Sequence, residues 1–284
     1  MIHAYDNRNE AIVDASNPIL SRTYFNLVRL KSDETFTLSV RGIETCWVVL
    51  SGSCDIAVDG ETFASVGQRK DIWSGQADSV YAPSGADVSV KALTDVEIAV
   101  AGSVCAETHK AYRVKPEDVR MVEVGSLDTH SRRRIFHILG SKDMGRTGNL
   151  LVSELYADPG CWSGYPPHKH DTDRPDGNGA YVETGFEEVY HYRFNPETGF
   201  GAQFNYYDDG NGGVYRTQHG DTYLVDRGYH PTVTSPGHAK YIFTILVGHT
   251  QHSLVQYFEE KHRWLTKVLP GTQAMVDLFT GKEK

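Results

Sequence analysis

Apolar segments of strand length, separated by turns rich in Gly, Asp and Ser, run along the whole chain. That spacing predicts β-strands at Thr35–Val40, Thr45–Leu50, Cys54–Val58, Val88–Ala92 and Glu97–Val100. After Lys110–Lys115 the pattern starts again, with strands at Arg134–Leu139, Leu150–Tyr156, Glu188–Phe194, Ala202–Tyr207, Thr222–Val225 and Tyr241–Val247. Short strands at this interval predict an all-β sandwich or barrel architecture. The pattern changes near the C-terminus. Leu254–Leu269 has helical character up to a stop at Pro270-Gly271, and Lys282-Glu283-Lys284 is expected to fray.

Strand periodicity also sorts the side chains by face. In Phe186–Phe194, one face carries Phe186, Glu188, Tyr190, Tyr192 and Phe194, and the other carries Glu187, Val189, His191 and Arg193. The aromatic set is the interior one and takes Glu188 with it, leaving Glu187 and His191 to face solvent or a second sheet. A carboxylate among aromatic rings requires a cation, a metal or a proton. The same period turns His168 and His170 of Pro166-Pro167-His168-Lys169-His170 to one side, and a third imidazole follows in Gly228-Tyr229-His230. Taken singly, each of these is an ordinary strand or turn residue. Together, in this order and each beside a strand, His168, His170, Glu188 and His230 predict one divalent ion per chain: zinc, manganese, iron or nickel.

Composition narrows the field. A chain of 284 residues holds one large domain or two ordinary ones, and 39% hydrophobic with 23% charged residues is the balance of a soluble globular protein. The net charge of −9 gives no footprint for nucleic acid, and the one basic cluster, Arg132-Arg133-Arg134, reads as a solvated loop. Apolar runs such as Ile242–Val247 fall far short of the roughly 20 residues of a membrane span. Met1–Glu10 lacks the apolar core of an export signal, and the four cysteines have no metal-type spacing. The expectation is a cytoplasmic protein with free thiols. Of the thirteen histidines only His3 precedes residue 109, so the first part of the chain is expected to be structural and metal-free.

The two-part arrangement of a histidine pair and glutamate, then a third histidine after Gly220–His230, resembles the signature of the cupin β-barrels. Within cupins, Gly160–Asp173, Glu187–Phe194, Gly199-Phe200 and Arg227-Gly228-Tyr229-His230-Pro231 resemble the 5-deoxy-glucuronate isomerases of myo-inositol catabolism. These are akin to the uronate ketol-isomerases. Weaker similarity runs through Gly67-Gln68-Arg69 and Tyr81-Ala82-Pro83, so that the resemblance spans about residues 20 to 265. The chain departs from the pattern at Asp226, at Thr244 and in His249-Thr250-Gln251-His252. The resemblance implies a bicupin: a metal-free N-terminal cupin-like barrel over residues 1–115, a metal-binding barrel over 116–265 and a short helical or irregular tail over 266–284. It further implies a homo-oligomer acting on 5-deoxy-D-glucuronate to give 5-dehydro-2-deoxy-D-gluconate.

Such a reaction moves hydrogen between adjacent carbons. The metal stabilises the developing negative charge, with Glu188 among its ligands, and Tyr190, Tyr229 and Lys169 lie near enough in sequence to handle a proton. A hydride shift between the carbons, without a base, is also open. An acidic sugar needs a local cation. Arg174, in the Asp171–Gly185 segment that forms either a lid or a surface hairpin, and Arg227 are the candidates, with Tyr192 as a further contact. Two other classes fit the same ligand set: a dioxygenase-type cupin and a non-catalytic sugar-binding cupin.

Overall fold

The computed structural model describes residues 6–282. The fraying expected of Glu283 and Lys284 lies outside the described residues. Strands dominate, and every sheet belongs wholly to one side of residue 115 or the other. Before it, a six-stranded antiparallel sheet runs in the order Ala11–Val13, Thr23–Leu30, Val96–Val104, Ile43–Ser51, Asp78–Ala82 and Tyr112–Val114. A four-stranded sheet faces it: Thr35–Leu38, Val88–Ala92, Cys54–Val58 and Glu61–Val66. The second half repeats the plan. Its six-stranded sheet runs Arg120–Val124, Arg133–Leu139, Leu150–Ala157, Ala239–Gly248, Phe186–Asn195 and Thr222–Val225. Its four-stranded sheet runs Trp162–Ser163, Thr232–Thr234, Phe200–Tyr206 and Gly212–Gln218.

The central strands are buried on both faces, which is why they read as unbroken apolar runs. In Ile43–Ser51, Trp47 and Val49 point into the first half's own interior with Ile56, Val90 and Ile98. Their neighbours Cys46, Val48 and Leu50 point the other way, into a core shared with Val152, Val189, Phe243 and Ile245 of the second half. The two large sheets therefore pack back to back, and Phe25 meets Phe243 across the join at 6.1 Å between ring centroids. Polar links cross the same interface. The Glu187 carboxylate accepts from Ser21 N, Arg22 N and Thr23 Oγ1, His191 lies against Phe25, and Arg193 pairs with Glu97 at 2.8 Å. Of the two outcomes open to Glu187 and His191, it is the second sheet that they face.

Two expectations need correction. Arg132-Arg133-Arg134 is not a solvated loop: a strand begins at Arg133, whose side chain is only 2% exposed. The C-terminal helix is also displaced. Tyr257–Phe258 is a strand that pairs with His168–Lys169, Glu260–Lys267 is a 3₁₀ helix, and the α-helix spans Thr272–Thr280, after Pro270-Gly271 rather than before it. Gly271 starts the helix at φ 71°, where a Cβ would collide with the Glu123 carbonyl. The helix then lays Met275, Val276 and Phe279 against the second half's interior. Met275 is 3% exposed. Met275→Ala is expected to destabilise the protein by about 2–5 kcal/mol in urea unfolding; a loss below about 1 kcal/mol would mean that the helix is not docked there.

Candidate metal centre

Two segments deliver the imidazoles. His168 sits on the two-residue strand that Tyr257–Phe258 holds in place, with His170 two residues on. Gly228, at φ 85°, makes the turn that precedes His230. Their ring nitrogens lie within 4.8 Å of one another, and all three residues are buried. Glu188 joins them from the central strand Phe186–Asn195, its Oε2 at 3.2 Å from Nε2 of both His170 and His230.

The hydrogen-bond partners fix the chemistry of this cluster. Nδ1 of His168 faces the Pro166 carbonyl at 3.0 Å, Nδ1 of His170 the Phe186 carbonyl at 3.3 Å, and Nδ1 of His230 the Gly228 carbonyl at 2.8 Å. A carbonyl only accepts, so each Nδ1 carries the proton and each Nε2 presents a lone pair inward. Backbone carbonyls that orient metal-binding histidines act in this way. Nε2 of His230 is buried without a satisfied hydrogen bond. Burial, reinforced by His230 and His170, pushes His168 well below the ordinary imidazole range, so it is neutral. Burial alone would raise the Glu188 carboxyl, but His170 and His230 outweigh it and hold it down at about 2. A carboxylate facing inward lone pairs needs a positive charge between them. Protonation of His170, which Glu188 favours against burial, supplies one, and a divalent ion supplies it better. The residues fit the metal.

A cavity adjoins the cluster, lined by His168, His170, Glu188, Tyr190, Gln256, Thr244, Ser153 and Arg133, and closed by Leu254, Met275 and Phe279. Strand register explains its polar wall: Ser153 pairs with Thr244 and Thr244 with Tyr190, a row across one sheet face. Burial, and then Glu188, push the Tyr190 hydroxyl well above its usual range, so it stays protonated.

Several residues named from the sequence do not reach this cavity. Lys169 alternates with its histidine neighbours and points away, its Nζ on Asp208 at 2.8 Å. Tyr229 does the same beside His230, donating to Asp208 at 2.9 Å. Tyr192 gives its hydroxyl to Gln203, whose amide donates to the His230 carbonyl at 2.8 Å, so it supports the His230 backbone. Arg174 pairs with the fully buried Glu183 at 3.0 Å and stacks on Tyr257. Arg227 lies over Tyr207 with its side chain 67% exposed. The Asp171–Gly185 segment is a hairpin with its base tied down: Gly228 N donates to Asp171, and Asp171 N and Thr172 N donate to Glu183.

A family model described as the KduI/IolB family matches residues 3–265. The chain belongs to the KduI/IolB family. Among its relatives in that family, the chain is 32% identical to the 5-deoxy-glucuronate isomerase of Geobacillus kaustophilus (strain HTA426) over 79% of each protein. It is 29% identical to the enzyme of that name from Bacillus subtilis (strain 168), over 89% of this chain and 91% of that one. The crystal structure of an IolB-like protein from Salmonella typhimurium LT2 superimposes with a TM-score of 0.84 at 29% identity, covering 93% of this chain and 97% of that one. A Bacillus subtilis oxalate decarboxylase variant, 17% identical with a TM-score of 0.57 over 93% of this chain and 79% of that one, shares the fold alone. The fold of this KduI/IolB family member is thus all-β and of the bicupin type.

Two cavity residues escaped the sequence. Gln256 sits in the stretch expected to be helical, yet its amide Nε2 lies 2.9 Å from His168 Nε2 while its Oε1 is buried without a partner. Turning that amide over would set Oε1 toward the imidazole cluster. Arg133 was hidden in a run of basic residues. Elsewhere, Glu44, Cys105 and His109 also approach one another. There Glu44 Oε2 is taken by Tyr81 and Gly148 N, and burial pushes the Cys105 thiol up to about 11.

Proposed function

We propose that this protein is a metal-dependent aldose–ketose isomerase that converts 5-deoxy-D-glucuronate to 5-dehydro-2-deoxy-D-gluconate in myo-inositol catabolism. The observation that carries the reading is the buried cluster of three histidines and one carboxylate beside a cavity with Tyr190, Ser153, Thr244 and Arg133 on its wall, in a chain whose curated relatives are named 5-deoxy-glucuronate isomerase. One divalent ion, zinc, manganese, iron or nickel, would be held by His168, His170, Glu188 and His230. When bound it supplies positive charge where the carbonyl oxygen of the sugar becomes negative.

The chain's own groups supply the rest. Tyr190 stays protonated, so its hydroxyl acts as a hydrogen-bond donor to a sugar oxygen rather than as a resting base. Ser153 and Thr244 offer further hydroxyls on the same wall, and Leu254, Met275 and Phe279 keep bulk water from the reacting carbons. In the same reading the enzyme works in a reducing cytoplasm, with its four buried cysteines free, and as a homo-oligomer. It needs no membrane or nucleic-acid partner.

Anaerobic turnover of 5-deoxy-D-glucuronate by the metal-loaded protein tests this. We expect full activity without oxygen and its loss on chelation. Oxygen consumption during turnover would instead mark a dioxygenase-type cupin, and binding of the sugar without any conversion would mark a sugar-binding protein. Deuterium incorporation from D₂O would identify proton transfer through the protein, and its absence a direct hydrogen shift between the carbons.

A further inference from the structure

A buried guanidinium is normally paired, because burying an isolated charge is among the most unfavourable arrangements in a fold. Arg133 departs from this. Its side chain is 2% exposed and lines the same cavity as His168, His170, Glu188 and Tyr190. Nη1 donates to the Ser131 carbonyl at 2.9 Å and Nη2 to the Tyr165 carbonyl, which holds the group firmly against the chain that leads into His168. Its Nε–H is buried with no acceptor. Among the described residues no Asp or Glu forms an ion pair with it. Its ionisable neighbours Tyr190 and Cys161 are no substitute, since burial raises both and keeps them neutral.

A second buried basic group lies close by. Strand register places Arg133 opposite Ala157 and Ala157 opposite Lys240. Lys240 is fully buried, and its Nζ has one hydrogen bond, to Thr232 Oγ1 at 3.2 Å. Burial and the charge of Arg133 push it well below the ordinary lysine range. No acid answers it among the described residues. Lys240 is thus disfavoured as a cation beside Arg133, and the buried guanidinium, with its Nε–H unpartnered, leaves the interior short of one anion.

We propose that Arg133 is the residue that receives the carboxylate of the acidic sugar, through its free Nε–H and its remaining Nη2–H. The choice of ligand rests on the isomerase reading. A uronate carries its carboxylate at the opposite end of the carbon chain from its aldehyde, and Arg133 and the histidine cluster line one cavity. Arginine's planar fork suits a carboxylate, and pre-anchoring by two backbone carbonyls leaves little side-chain freedom to lose on binding.

Calorimetric titration of the metal-loaded protein with D-glucuronate and with D-glucose tests the assignment without relying on turnover. The wild type is expected to bind the acid about tenfold or more tightly than the neutral sugar. R133Q, shown to be folded and to retain its metal, is expected to lose that difference, and R133K to keep part of it. With 5-deoxy-D-glucuronate as substrate, R133Q is expected to raise KM more than it lowers kcat. No preference for glucuronate in the wild type, or an undiminished preference in folded R133Q, would overturn the proposal. If R133Q unfolds, R133K carries the decision by the same ratio. An acid preference that depends on Arg133 in a protein without isomerase activity would reject the isomerase reading and leave this assignment standing. Isomerase activity with equal KM in wild type and R133Q would do the reverse.

Discussion

Glu188→Gln is expected to lower isomerase turnover by about 100-fold or more in metal-replete buffer, while the protein remains folded. Changing an outer partner of a metal ligand already costs about 10–100-fold in affinity or activity, so changing the charged ligand itself has at least that effect. The carboxylate is the one anion among three imidazoles, and its Oε2 faces both His170 and His230 at 3.2 Å. An amide leaves the cation's charge uncompensated and is the weaker ligand. Elemental analysis and thermal unfolding separate the consequences. A metal that binds the native state raises the melting temperature of the wild type, and that rise is expected to shrink in E188Q while the metal-free proteins melt close together. The interior rows around Glu188 are Phe186, Tyr190, Tyr192 and Phe194, which the substitution leaves in place. Turnover equal to wild type in metal-replete E188Q would remove Glu188 from the mechanism.

How much of this was legible in the sequence follows from which forces are local. A period of two needs no tertiary information, so the inward face of Phe186–Asn195 could be read directly, Glu188 included. The same period sets Lys169 off the face of its histidine neighbours, and both Lys169 and Tyr229 meet Asp208 instead. Proximity in sequence was mistaken there for proximity in space. Arg133 was not legible. A run of three arginines is normally hydrated, and only the Ser131 and Tyr165 carbonyls that take the Arg133 guanidinium, with its burial, show one of them enclosed. Gln256 was missed for a related reason. The Leu254–Leu269 segment has helical character, but its first residues are claimed by a ladder with His168–Lys169, and tertiary pairing overrides local preference. Pro270-Gly271 was read as a helix stop. The left-handed Gly271 serves instead as the start of Thr272–Thr280.

The second large effect is expected at the join between the two halves. Arg69 and Glu154 form a two-pronged pair, Nη2 to Oε1 at 2.6 Å and Nη1 to Oε2 at 3.0 Å, with side chains 3% and 1% exposed. Each partner is satisfied further: Arg69 donates to the Val49 and Gly75 carbonyls, and Tyr241 donates to Glu154 at 2.8 Å. Arg69 belongs to the first half and Glu154 to the second, so the pair spans the packed sheets. Removing one partner strands a buried charge, whereas removing both leaves an apolar gap that neighbours such as Ile72 and Trp73 can help to fill. E154L is therefore expected to lose about 3–5 kcal/mol in its first urea transition. The double variant R69M/E154L is expected to recover most of that loss, because the pair's stabilisation is largely offset by its desolvation. The double-mutant cycle reads the coupling directly. A loss below about 1 kcal/mol in E154L would mean that water reaches Arg69 and that the halves are held by their apolar core alone. A double variant as unstable as the single one would mean that the pair itself, and not the stranded charge, fixes the register of the two sheets.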